Sequence, residues 1–349
     1  MMAMCTIFVM AQNQENDQDD KNYVVNLKAA VRVDFIQDYW DSNLNKPTSG
    51  FKGKYLTIAL DGYISKHFYY AYRQRLNRAP KDESFFDATD FAYISYRPNK
   101  HWDFSMGKQV VGIGGYEYDR APIDLYFCSE YWNNIACYQL GASIAYNIGD
   151  GSDRLMAQVC ESPYTVNHKD FLFAYNLMWY GHHDWFNSIY SLNAIEYETG
   201  KYIYYATLGN QFTFDNFRIQ LDYMHRFAEG QKNFFDDISV MGELSYMIKN
   251  KVNVFGKASY DVNRSNVGGD FSVMPGTDLT RVGAGVEYYP LKNGRQDLRV
   301  FGYYSYSWGI NGNPAGAIQN KQHLFGVGVK WQIDIISLTR KIFKGNEGA

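Results

Sequence analysis

Polar and apolar residues alternate along this chain with a period of two. Between Leu298 and Trp308, one face carries Leu298, Val300, Gly302, Tyr304, Tyr306 and Trp308. The opposite face carries Arg299, Phe301, Tyr303, Ser305 and Ser307. Just before this run stands Asn293-Gly294, a dipeptide that supplies the positive φ angles of a tight hairpin. Runs of this kind predict sixteen strands, from Val24–Trp40 to His323–Ile335, with Asn134–Asn147 as the sixth and no helix among them. The connections alternate between tight turns such as "GDGSD" and "GHHD" and mostly longer loops, the longest being "GIGGYEYDRAPIDLYFCSEYWN". The pattern predicts an all-β, antiparallel up-and-down barrel of about 16 strands with two unlike ends. The even count leaves both termini on the short-turn side.

Alternation alone fits a soluble sandwich or propeller as well as a membrane barrel. The runs are about ten residues long, the length of a tilted strand crossing a hydrocarbon layer. Tyr96, Trp102, Trp179, Tyr288, Tyr304 to Trp308 and Trp331 lie near the ends of the apolar stripes, where interfacial aromatic girdles form. No blade-length repeat supports a propeller. The stripes are therefore expected to face lipid, with short periplasmic turns and long extracellular loops. A lipid stripe uses half of each strand, so the mean hydropathy stays below zero. The 31 tyrosines suit strands and polar–apolar boundaries. A net charge of −3 offers no basic surface for nucleic acid.

Residues 1–11 read as the rear of a secretory signal peptide and residues 12–22 as a polar lead-in. Residues 23–335 form the barrel, and 336–349 a periplasmic tail. Cys128, Cys137 and Cys160 read as isolated thiols, although Cys128 and Cys137 are close enough in sequence to close a loop. His182-His183-Asp184 occupies a tight turn and reads as solvated, and "GDGSD" has too few ligands for calcium. No metal, cofactor or catalytic residue is expected, and no nucleophile, zinc or phosphate-loop motif is present.

A barrel of sixteen strands leaves an aqueous lumen. The polar face of the strands then lines it with Lys28, Arg32, Arg73, Arg75, Arg97, Arg218, Arg226, Lys257, Arg281, Arg299 and Lys330. Fewer acids share that face: Asp34, Asp61, Asp103, Asp222, Glu243, Asp261 and Glu287. A surplus of fixed cations favours anions; close pairs such as Arg32 with Asp34 instead cancel and brace the wall. The aromatic middle of the longest loop suits a constriction folded into the pore, with Tyr116, Asp119, Arg120, Asp124 and Glu130 facing solute. The alternative is a loop packed over the rim or on a neighbouring subunit.

Two stretches, "DATDFAYISYRPNKHWDFSMGKQVVGIGGYEYDR" and "HLFGVGVKWQIDI", resemble the phosphate-selective porin O and P family of Gram-negative outer membranes, Bacteroidetes included. The resemblance implies a sixteen-stranded, often homotrimeric porin that is not an enzyme. Small hydrophilic solutes would diffuse through it, neutral or anionic, with a preference for anions such as phosphate. By that resemblance Arg73 and Arg75 are lumen arginines and Lys108 is the constriction lysine. The alternation instead puts Lys108 on the lipid side beside Met106 and Trp102, unless a bulge at Gly107 re-aims it. The rival reading is a non-conducting barrel within an assembly or secretion complex of other outer-membrane proteins.

Overall fold

The computed structural model describes residues 23–77, 86–164, 171–293 and 296–339. The expected signal peptide, lead-in and Gly294, and residues 340–349 of the expected tail, lie outside the described residues. Sixteen long strands follow one another: β1 Tyr23–Trp40, β2 Gly50–Ser65, β3 Phe68–Arg75, β4 Thr89–Tyr96, β5 Trp102–Val110, β6 Tyr138–Ile148, β7 Asp153–Glu161 and β8 Phe173–His182. They continue with β9 Phe186–Glu198, β10 Lys201–Phe214, β11 Phe217–Ala228, β12 Asp237–Ile248, β13 Val252–Asn263, β14 Thr277–Asn293, β15 Gln296–Ile310 and β16 Gln322–Thr339. Each pairs antiparallel with its sequence neighbour, and β16 pairs with β1. The sheet is thus closed, with no strand edge left to hydrogen-bond in lipid.

The register follows from the side-chain period. Across six strands, Ile94, Met106, Ala142, Val159, Tyr175 and Ala194 form one outward row. A one-residue slip at any pairing would turn that strand's apolar set inward. The hairpin strands keep their expected faces. Val300, Tyr304 and Trp308 are exposed on the outside, whereas Arg299, Phe301, Tyr303, Ser305 and Ser307 are buried inside.

The structure corrects the sequence reading in three places. Helices are present: α1 (Tyr116–Asp119), α2 (Glu130–Asn134) and a 3-10 turn at Pro122–Asp124. The sixth strand accordingly begins at Tyr138, because Ser129 caps α2 by accepting from the Trp132 N–H at 3.2 Å. The last strand runs to Thr339, and its residues Ile336 to Thr339 pair with β1, so the expected tail begins as barrel wall.

The interior is also less polar than alternation suggests. Loop residues join wall residues in three apolar clusters, built around Tyr131 with Tyr205 and Met224, Tyr116 with Met156 and Met178, and Phe127 with Phe255 and Phe301. Glycines on β16 make room for the third cluster. A Cβ at Gly326 or Gly328 would meet the Tyr303 ring at 2.3 Å or the Phe301 ring at 2.6 Å. Those rings lie flat on the wall because no side chain stands beneath them.

Leu192 tests the lipid face. It is 61% exposed on β9 and pairs with Leu177. Leu192→Arg is expected to cost about 2–4 kcal/mol of unfolding free energy in lipid vesicles. Unchanged denaturant stability would mean that this wall does not contact hydrocarbon.

Candidate permeation pathway

Residues 111–137 connect β5 to β6 and fold into the barrel rather than over it. Their backbone leaves water, so each N–H and C=O needs a partner. The lumen wall supplies them. Gly112 N–H donates to Gln158 Oε1 at 2.7 Å, and its carbonyl accepts from Asn193 Nδ2 at 2.6 Å. Gly114 N–H donates to Ser191 Oγ at 2.9 Å. Both oxygens of Asp222 accept from the first N–H groups of α1, Tyr116 and Glu117, at 2.8 Å each. Asp261 accepts the Glu130 N–H at 2.9 Å.

Charged pairs complete the seat. Arg120 reaches both oxygens of Glu243, at 2.7 and 2.9 Å, and also bonds Gln220. Asp124 is gripped by Arg299 at 3.0 Å and Lys330 at 2.5 Å. Burial alone would raise the Asp124 carboxyl, but the cations Lys330 and Arg299 outweigh it and hold the group at about 2. Arg120 is shifted upward: burial works against its charge, and Glu243 outweighs it. Glu130 moves up through burial, and burial pushes the free Cys128 thiol up to about 12. Tyr126 donates to Glu287 at 2.5 Å, and Lys257 bonds Glu117 at 2.5 Å and the Phe127 carbonyl at 3.0 Å. Asp119 closes the turn of α1 by donating its N–H to the Gly115 carbonyl at 3.1 Å.

These contacts reassign several of the expected pore cations. Arg32 pairs with Asp34 at 2.6 Å and donates to the carbonyls of Ile123 and Leu125. Arg281 donates to the Cys128 carbonyl at 3.3 Å. Together with Lys257, Arg299 and Lys330, they hold the loop instead of facing the solute path, because a buried backbone needs donors first. Arg226 is fully buried against Asp237 and Asp270. Arg97 braces the lower wall with Asp103 at 3.1 Å and Tyr63 at 2.9 Å. Arg218 is half-buried, and its Nε has no partner among the described residues.

Lys108 needs a correction as well. Gly107 has φ +131°, yet the ladder stays in register, pairing Lys108 with Ala92 and Leu140 on the face that carries Ile94 and Met106. Its ammonium donates to the Phe86 carbonyl at 3.0 Å and lies 5.1 Å from the Phe86 ring.

The anchors come from β1, β7, β9 and β11–β16. The wall of β2–β4 contributes none of them. There Arg73 and Arg75 share Asp90, each at 2.9 Å, and Arg73 also bonds Tyr138. A bulge between the pairs Arg32–Tyr55 and Val33–Gly53 adds Lys54, an exposed residue within the electrostatic field of Arg32, Asp34 and Cys128. Strict alternation hid Lys54; the flanking Gly53 is the one local signal of a bulge. The anchors Gln158, Ser191 and Asn193 were missed too, being ordinary polar-face residues until a loop lies on them.

A closed sixteen-stranded barrel with a loop folded into it is the architecture of an outer-membrane porin. Solved structures similar to it bear this out at the level of fold. OmpT of Vibrio cholerae in a trimer form shares 15% identity, with 89% of this chain and 99% of that chain covered and a TM-score of 0.59. The channel DcaP of Acinetobacter baumannii gives 12%, 89%, 98% and 0.60. An anion-selective porin from Comamonas acidovorans gives 12%, 89%, 99% and 0.59. Residues 25–179 match the family model described as phosphate-selective porin O and P, the family that the sequence resembles. No curated protein matches the chain in sequence. The family match over residues 25–179 and the fold place this chain in the Gram-negative outer membrane and support a channel role.

The Asp124 clamp makes a measurable contribution. Asp124→Asn leaves buried Lys330 without its anion and is expected to cost on the order of 3 kcal/mol. Asp124→Asn combined with Lys330→Met should recover most of that loss in denaturant unfolding. Because the carboxyl is depressed, its stabilisation is complete above an unfolded value of about 3.9. It is lost as pH falls toward about 2. An additive double variant would contradict the clamp.

Proposed function

We propose that this chain is a passive diffusion porin for small hydrophilic solutes, that it prefers anions such as phosphate, and that it works as a homotrimer. One observation carries the anion preference. On the β2–β4 wall, Asp90 serves two guanidiniums and Lys54 has no ion-pair partner among the described residues. These three cations thus have Asp90 as their acid, while the wall's other acid, Asp61, lies 3.9 Å from Lys28 of β1. Arg75 retains 21% side-chain exposure and stacks 5.1 Å from the Tyr55 ring, so its guanidinium is fixed but reachable. Fixed charge beside a low-dielectric wall concentrates counter-ions. The name of the family matched over residues 25–179 and the anion-selective Comamonas porin support the same preference. Support for the trimer comes from the trimer form of OmpT.

Planar-bilayer recordings in a potassium chloride gradient test the reading. The reversal potential should have the sign of anion preference. Lys54→Glu with Arg75→Glu should shift the anion-to-cation permeability ratio toward cations by on the order of tenfold. Absence of conductance would favour the non-conducting barrel, and cation preference in the unmodified protein would remove the anion assignment.

A further inference from the structure

Away from the pathway, Arg226 of β11 sits between two carboxylates. Its Nε donates to Asp237 Oδ1 at 2.9 Å, and Asp270 Oδ2 stands 2.7 Å from the same Nε. The three side chains are at most 1% exposed. Nε carries a single hydrogen, given to Asp237, and Asp270 Oδ2 makes no hydrogen bond among the described residues; Arg226 Nη2, 2.8 Å from Asp237 Oδ1, makes none either. Asp237 Oδ2 likewise makes none. Both carboxyls approach the same Nε, at 2.9 and 2.7 Å, and so stand side by side. Two buried acceptors facing each other without a hydrogen between them would repel, and one guanidinium cannot neutralise both acids.

The surroundings add negative charge. Asp261 of β13 is buried beside them, its two oxygens taken by Ser239 Oγ at 2.5 Å and the Glu130 N–H at 2.9 Å. Tyr205 of β10, Tyr164 and, from the 111–137 loop, Tyr131 and Glu130 are the other titratable groups around the pair. Asp270 also ties down its own loop: its Oδ1 accepts from the N–H groups of Ser272 at 2.7 Å and Val273 at 3.1 Å, and from the Tyr164 hydroxyl at 3.0 Å. Tyr164 belongs to the β7–β8 loop, Asp270 to the β13–β14 loop, and Glu130 to the loop in the lumen. Three loops therefore converge on this one charged cluster.

We propose that Asp237 and Asp270 hold one proton between them, a buried acid–carboxylate pair clamped on Arg226, and that this proton fastens the three loops together. The proton turns one of the two facing acceptors into a donor. Removing it at alkaline pH leaves adjacent anions and loosens the knot. The stabilisation is present while the proton is bound and disappears as pH rises far enough to strip it.

Infrared difference spectra of the full-length barrel in detergent micelles test this directly. At neutral pH the wild type should show the carbonyl stretch of a protonated carboxylic acid, and both Asp237→Asn and Asp270→Asn should lose it. The midpoint of thermal unfolding should fall in the wild type as pH becomes alkaline. It should stay level in Asp237→Asn, whose amide N–H replaces the proton permanently. Should neither variant fold, the wild-type spectrum alone decides, since the band must be present at neutral pH and vanish on alkaline titration. A wild type without that band, or variants that retain it, overturns the proposal.

Discussion

A polypeptide loop taken out of water inside a barrel must find a hydrogen-bond partner for every backbone group it buries. The lumen of this chain is organised around that requirement. Asp222 takes two N–H groups, Arg32 two carbonyls, and Asp124 two cations. Aromatic residues of the loop then pack between these polar contacts, so the interior has the density of a core on one side. The same residue types that would line an open pore act here as fasteners.

The proposed function follows from where fasteners are absent. Five of the eleven arginines and lysines of the polar face, Arg32, Lys257, Arg281, Arg299 and Lys330, are taken up by the loop. The wall of β2–β4 is different. Its cations exceed its acids, and the bulge at Lys54 brings in an extra lysine. In the proposed function, selectivity depends on local asymmetry and not on the net count of lumen charges.

Much of the fold was legible in the sequence because it depends on a period that the sequence carries explicitly. Alternation at Leu298–Trp308, tight turns and long loops specify sixteen strands, closure and the lipid face. The site was less legible for a physical reason. A lumen residue such as Ser191 or Asn193 acquires its role only when a segment nearly eighty residues earlier in the chain lies against it. Alternation identified Arg32 and Lys330 as lumen residues but not as loop anchors. It also assigned Lys108 to the outer face, while the family resemblance pointed inward, and here the ladder register follows the alternation. Short helices such as Glu130–Asn134 escaped a reading tuned to strands, because five residues are too few to show a helical period.

The central claim is that solutes pass beside the β2–β4 wall, away from the anchored loop. Thiol accessibility in single-channel recordings tests it most directly, since Cys128 and Cys160 are buried and Cys137 is partly buried. With Cys137 replaced by serine, a negatively charged thiol reagent should lower both conductance and anion preference at Lys54→Cys. It should leave Ser191→Cys, which lies beneath the loop, unchanged. Block at Ser191→Cys with no effect at Lys54→Cys would contradict the account.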